Sequence, residues 1–377
     1  MVSRAERTIF ADWWWTVDRW LIAAIASLMV LGLVLTLAGS PPVAERLGLS
    51  PFHFVNRQVL FLVPAAGLMT MTSFLSPRMV RRAALALYIF AMALIVATLL
   101  FSPEVKGARR WIFGIQPSEF VKPAFVVLAA WAFSEGGRRR DVPANIIAFL
   151  LLPATIVPLI LQPDFGQTML ISIVWAALFF MAGLHWFWVA GIGGVGFSGA
   201  LLAYHFVAHV RQRIDKFLEP GTGGAGGDSF QVDTAMESFI SGGWFGKGPG
   251  EGTLKRVLPD SHTDFIFAVT GEEFGVLFCL AIVTLFAFVV LRVLLRSSNN
   301  VNSFSRFAGC GLVMLFGLQS AINMAVNLRL MPAKGMTLPF ISYGGSSLIS
   351  LALGMGFLIA VTRRRPQSEV TNRIEAA

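Results

Sequence analysis

Two stretches of this sequence carry ionisable residues into an otherwise apolar chain, and each offers a definite kind of chemistry. The first runs Gly107-Ala-Arg-Arg-Trp-Ile-Phe-Gly-Ile-Gln-Pro-Ser-Glu-Phe-Val-Lys122. Pro117 and Ser118 make a helix start, so Glu119 and Lys122, three apart, share a face and should pair when buried. Charge inside a membrane is expensive and marks either a functional site or a structural ion pair. Arg109 and Arg110, just outside, offer planar donor forks suited to a diphosphate. Trp111 could stack on a sugar or anchor at the interface.

The second stretch is Leu258-Pro-Asp-Ser-His-Thr-Asp-Phe-Ile-Phe-Ala-Val-Thr-Gly-Glu-Glu-Phe-Gly275, where a polar loop turns into an apolar helix. Asp264 falls at that boundary, where partial loss of hydration tunes a carboxylate toward general-base work. Helix capping is the competing use of Asp260, Ser261, Thr263 or Asp264. Capping does not account for Glu272 and Glu273, about two turns further in, where a buried charge is costly. His262 could titrate near neutrality or simply occupy the loop.

Two later features supply polar groups without charge. Gln319, Asn323 and Asn327, spaced by four, stack on one helix face ahead of Arg329 and serve either a helix contact or a hydrated cavity. Leu330-Met-Pro-Ala-Lys-Gly-Met-Thr-Leu-Pro-Phe-Ile-Ser-Tyr-Gly-Gly-Ser-Ser347 brackets a short loop with two prolines and opens a helix with small residues. Lys334, Ser342 and Ser346 are its candidate ligand contacts, and close packing is the alternative reading. His185, His205 and His209 have no partner at metal-ligand spacing, and Cys279 and Cys310 sit in apolar runs, so no metal or disulfide framework is expected.

The elements that must position these residues follow from composition. Of 377 residues, 55% are hydrophobic and 14% charged, and the mean hydropathy is +0.69, outside the range of a water-soluble domain. Apolar runs long enough to span a bilayer fall near 20–39, 57–75, 83–101, 118–134, 143–161, 167–182, 186–207, 265–295, 305–329 and 340–361. The expected fold is all-α: one polytopic membrane domain of about ten helices over 19–365, with a terminal segment 1–18 and a tail 366–377. Met1–Asp18 shows no cleavage site, so the first helix should stay. The formal net charge of +9 does not indicate nucleic acid, because the arginines lie in short clusters beside apolar runs.

Ten spans put both termini, with the clusters at Arg4/Arg7/Arg19, Arg78/Arg81/Arg82, Arg138–Arg140, Arg292/Arg296/Arg306 and Arg363–Arg365, on one side, which the positive-inside rule makes cytoplasmic. The other side receives the large loop 208–264. Within it, the glycine tract Gly221–Gly227 should join a juxtamembrane helix near 209–218 to a second short helix near 230–241. Gly246-Lys-Gly-Pro-Gly-Glu-Gly252 lacks the ending of a nucleotide loop and reads as a mobile turn.

Taken together, GARRWIFGIQPSEFVK, the QPDFGQT break at 162–168, LPDSHTDFIFAVTGEEFG and LPFISYGGSS in the last stretch resemble the SEDS (shape, elongation, division and sporulation) family over about residues 15–365. Thr-Gly-Glu-Glu at 270–273 and Lys-Gly-Met-Thr-Leu-Pro at 334–339 favour its division branch (FtsW) over the elongation branch (RodA). Asp260 departs from the glutamate common after Leu-Pro but keeps a carboxylate. The resemblance implies a glycosyltransferase C type fold, lipid II as substrate, and peptidoglycan glycosyltransferase activity during cell division. It places the protein in the bacterial inner membrane at the septum, with the active site facing the periplasm. It implies a class B penicillin-binding protein as partner among other divisome proteins. It maps the essential aspartate onto Asp264 and marks Trp111, Glu119 and Lys122; Gln231 and Lys247 occupy loop positions where the family has similar residues. No resident cofactor is implied, though a divalent cation (magnesium or manganese) could assist the departing diphosphate. A lipid II flippase is the main alternative, and a recruiting scaffold a third.

Overall fold

The computed structural model describes residues 8–104, 109–136, 144–183, 186–206, 210–211, 215, 228–332 and 335–364. The helices in chain order are α1 (Ile9–Thr16), α2 (Arg19–Gly39), α3 (Pro41–Arg46), α4 (His53–Ser73), α5 (Pro77–Phe101), α6 (Pro117–Gly136), α7 (Ala144–Leu161), α8 (Phe165–Met181), α9 (Trp186–Phe206), α10 (Asp228–Gly242), α11 (Ile266–Ser298), α12 (Ser303–Asn327) and α13 (Gly345–Thr362). Among the described residues there is no strand, only an isolated bridge between Ile112 and Ile115.

Each of the ten expected spans carries a helix. Among the described residues seven helices can cross a membrane by length and composition: α2, α4, α5, α7, α11, α12 and α13. Of the other three, α6 is 20 residues long but carries Glu119, Lys122 and Glu135, α8 has 17 residues, and α9 has 21. The chain is thus a membrane-spanning helical protein. Helices α4 and α5 start at His53 and Pro77, ahead of the apolar runs, because polar first turns reach beyond the hydrocarbon and escape a hydropathy reading. The segment before the first span holds α1, and α3 follows α2 directly. The loop helix expected near 230–241 is α10. The expected helix near 209–218 lies largely outside the described residues. Gly221–Gly227, Arg138–Arg140, the tail 366–377 and Lys334 lie wholly outside them.

Polar caps set several helix starts. Asp18 accepts from the amides of Trp20 and Leu21 at the head of α2, Ser76 from Met79 at α5, and Asn302 from Ser305 at α12. Asp18 does more: Arg292 Nε at 2.8 Å and Arg296 NH1 at 2.9 Å converge on its Oδ2. Burial raises the proton affinity of that carboxyl, yet the two guanidinium groups outweigh it and hold the group below the ordinary carboxylate range. Arg296 also donates to the Thr362 and Thr16 carbonyls at 3.0 and 3.4 Å. One end of α1, α2, α11 and α13 is bound together by side chains that composition alone assigned to topology.

The centre is α6, buried along nearly its whole length and packed against α5, α7, α8, α12 and α13. Around it α13 lies along α4 so closely that a Cβ on Gly356 would overlap the Thr72 hydroxyl. That approach is available only to glycine.

Candidate functional site

The buried charges of α6 lie at the start of a continuous polar network. Lys122, 2% exposed, contacts Glu119 Oε2 at 2.9 Å and donates to Gln319 Oε1 at 2.8 Å. Glu119 Oε1 accepts from Gln167 Nε2 of α8 at 2.7 Å, and its backbone carbonyl from Ser350 Oγ of α13 at 2.6 Å. Four helices therefore meet on one ion pair, which answers the cost of burying it with fixed hydrogen bonds.

Beyond Gln167 the network reaches the break between α7 and α8. Asp164 Oδ2 accepts from Gln116 Nε2 at 3.3 Å and Ser118 Oγ at 3.4 Å. Burial raises the proton affinity of Asp164 most strongly; Arg110 opposes that shift and Glu119 adds to it. Arg110 donates Nε to the Gln162 carbonyl at 3.0 Å and NH2 to the Pro163 carbonyl. Its guanidinium thus folds onto the break rather than standing free, and it spends two of five donors there. Arg109 is exposed, with one donor 3.3 Å from the Leu99 carbonyl. Trp111 is 47% exposed.

In the other direction the network runs along α12 to Asp264. Gln319 Nε2 donates to the Thr337 carbonyl at 3.1 Å. Asn323 Nδ2 reaches the carbonyls of Met336 at 2.6 Å and Asp264 at 2.9 Å, and Asn327 Nδ2 donates to the same Asp264 carbonyl at 2.9 Å. Asn327 Oδ1 accepts from the Ala268 amide at 3.1 Å, in the first turn of α11. Ser342 Oγ donates to the Thr263 carbonyl at 2.6 Å and accepts from the Leu338 amide at 2.8 Å. The Tyr343 amide donates to the His262 carbonyl at 3.0 Å. Loop 257–265 is thus clamped to loop 335–344 on both sides of Asp264, whose half-buried side chain has Oδ2 3.8 Å from where a Cβ on Gly335 would stand. The N-cap of α11 is Phe265, which makes no side-chain cap, and Asn327 satisfies an amide of the first turn from α12.

His262 is buried between Phe54 and Tyr343, with ring centroids at 4.4 and 5.5 Å. Burial pushes its pKa down to about 4, with Arg46 adding to the effect and Asp260 opposing it, so the ring is neutral at pH 7. Arg46 NH2 donates to the Leu258 carbonyl at 2.7 Å, fixing the loop from outside.

Glu272 and Glu273 belong to a separate arrangement. Helix α11 is broken at Gly275, where φ +81 and ψ 174 are closed to other residues. The two carboxylates next to the break gather the loop that precedes it: Glu272 Oε1 accepts from Lys247 Nζ at 3.2 Å, the Thr253 amide at 2.8 Å and the Leu254 amide at 3.1 Å. Glu273 accepts from Lys255 Nζ and, at 3.0 Å, from the Gly250 amide. These contacts tie Gly246–Gly252 down, correcting its reading as a mobile turn, and Lys247 serves as a clasp. Gln231 lies half-buried on α10, and Ser346 half-buried in the first turn of α13. Sequence reading carried Asp164 and Gln167 only inside the QPDFGQT break without a role of their own, and gave Arg46 none. For the first two there was a signal: an acid between two glutamines in an apolar break.

Cys279 and Cys310 are free and buried. Among the described residues no group of three or more His, Cys, Asp or Glu side chains stands close enough to hold a metal ion.

Fold and site define the class: a polytopic helical membrane protein whose buried ion pair is wired to a carboxylate at the end of the bundle. The family model of cell cycle proteins that spans FtsW, RodA and SpoVE matches residues 19–367, and the chain belongs to that family. It is 46% identical over 369 residues to the probable peptidoglycan glycosyltransferase FtsW of Caulobacter vibrioides, covering 97% of this chain and 94% of that one. It is 36% identical over 365 residues to the protein of the same description from a Thioalkalivibrio strain, covering 92% and 90%. Among solved structures it matches a chain of a peptidoglycan synthase complex that coordinates polymerization and crosslinking, with a TM-score of 0.75 at 25% identity over 92% of this chain and 97% of that one. It matches the rod shape determining protein RodA of Thermus thermophilus with a TM-score of 0.66 at 25% identity over 93% and 97%.

Proposed function

We propose that this protein polymerises lipid II into β-1,4-linked glycan strands during cell division, with Asp264 as general base at the periplasmic face of the inner membrane. The observation that carries the reading is the double clamp on the Asp264 carbonyl by Asn323 and Asn327, which fixes the backbone bearing this carboxylate at the end of the Glu119–Lys122 network. An acid fixed on rigid elements, half-buried and next to a glycine, suits abstraction of a proton from a substrate hydroxyl.

In the reaction Asp264 takes the proton of the acceptor C4 hydroxyl, and the oxygen attacks the anomeric carbon of the donor. The bond from that carbon to the lipid diphosphate breaks, and the electron pair leaves on the diphosphate oxygen. The N-termini of α6, α8, α11 and α13 share this end of the bundle, and their dipoles favour the anion. Arg109 and the remaining donors of Arg110 add full charge to the same end. Glu119 and Lys122 position the loops that carry Asp264 through Gln319 and Asn323. A transpeptidase of the class B penicillin-binding type would use the strands produced, and its docking belongs to this same proposal.

The test is purified protein with its transpeptidase partner and lipid II in detergent, where no two sides exist. Long glycan strands from the wild type and none from Asp264→Asn, with partner binding retained, are expected. Normal strand synthesis by Asp264→Asn would remove the base. Unreacted lipid II in detergent, with movement of lipid II between leaflets of vesicles, would instead establish a flippase.

A further inference from the structure

At the opposite end of the bundle the structure holds a basic cavity that none of this chemistry uses. Asn302 and Phe304 begin α12, whereas Asn323 and Asn327, beside Asp264, end it; at 1.5 Å per residue roughly 30 Å separates the two, the thickness of the hydrocarbon core. A cavity of about 500 Å³ lies there, lined by Arg78, Arg81, Glu135 and Asn302 among others. A second, of about 250 Å³, shares Arg78 and Arg81 and adds Arg82, Leu85, Leu128 and Trp131.

The charges in this pair of cavities are unbalanced. Glu135 is the single acid among the described lining residues, 3.5 Å from Arg81. Arg78 and Arg82 are exposed, one turn apart on α5. The guanidinium of Arg81 lies over the Trp131 and Phe304 rings at 5.8 and 5.4 Å, which fixes it in place. One turn further along each helix the lining turns apolar: Leu128 is buried and Leu85 is 46% exposed, and the shielded Trp131 indole N–H has no acceptor among the described residues. Cationic groups above an apolar floor, with tryptophan at interfacial depth, match an anionic amphiphile better than a soluble anion.

We propose that this cavity binds the phosphate headgroup of an anionic phospholipid of the leaflet opposite Asp264, with Arg78 and Arg82 as the principal donors and an acyl chain along Leu85. Native mass spectrometry of the full-length protein in detergent, loaded with phosphatidylglycerol or phosphatidylcholine, tests it. The wild type should retain phosphatidylglycerol preferentially. The Arg78→Gln/Arg82→Gln variant should lose that retention by about tenfold, and Arg78→Lys/Arg82→Lys should keep most of it. Because both arginines are exposed, the glutamine variant should match the wild type in thermal unfolding, so a loss reports the site and not the fold. Equal retention of phosphatidylcholine, an unchanged glutamine variant, or displacement of the lipid by millimolar inorganic phosphate would each overturn the proposal.

Discussion

At the scale of single residues the arrangement turns on Lys122, which satisfies Glu119 and Gln319 at once while nearly devoid of solvent. Removing one member of a buried pair strands the other's charge, which costs ~3–5 kcal/mol, whereas removing both often costs far less. Lys122→Met should therefore lower the unfolding temperature markedly and abolish polymerisation, since Gln319 loses the partner that orients it toward the Thr337 carbonyl. The double substitution Glu119→Gln/Lys122→Met should recover most of the thermal stability and none of the activity. Thermal unfolding in detergent beside a strand-length assay separates these outcomes. A double variant as unstable as Lys122→Met would mean that the pair is not coupled. Sequence spacing exposed this pair because an acid and a base three apart in an apolar helix have few other uses. It could not expose Gln167, 48 residues from Glu119, or Gln319, 197 from Lys122, since only the packing of α6 against α8 and α12 brings them in.

At the scale of elements the decisive device is the break in α11. Hydropathy reads 265–295 as one span, and a helix does cover it, but Gly275 leaves helical geometry and the loop before the helix threads back into the gap. The Lys247 and Gly248 amides donate to the carbonyls of Glu272 and Glu273 at 2.9 and 3.0 Å, and the Val276 amide to Gly243 at 2.9 Å. The break leaves backbone groups to be satisfied, and the loop satisfies them. This is why two glutamates in an apolar helix mark neither a proton pathway nor a cap. Periodicity gives no warning of it, because the break sits in one φ angle that glycine adopts freely. Glu272→Gln keeps the volume and removes the charge that holds Lys247 and two amides. Hydrogen exchange should rise on the order of tenfold across 247–256, as when interactions of about 1.5 kcal/mol are lost, with α13 unchanged. Uniform exchange across both segments would show that the clasp holds the whole bundle and not the loop.

At the scale of the whole molecule, one end of the bundle is gathered by arginines around Asp18, and the other buries an imidazole, His262, in the loop that carries Asp264. The two ends should therefore respond differently to acid. His262 titrates near its ordinary value of 6.5 when unfolded and at about 4 when folded. Between these values the unfolded chain binds the extra proton, so the stability His262 contributes is complete above pH 6.5 and is lost as pH falls toward 4. The loss amounts to about 3 kcal/mol at most. For Asp18, held below its ordinary value of 3.8, the loss begins only as pH falls through that range. Between pH 6.5 and about 4 the loop bearing Asp264 should thus loosen first, while the cluster around Asp18 holds. Unfolding temperatures recorded across that interval should decline for the wild type and decline less for His262→Gln, which has no proton to gain. Parallel decline of the two proteins would place the acid sensitivity elsewhere and leave the aromatic cradle of Phe54 and Tyr343 as packing alone.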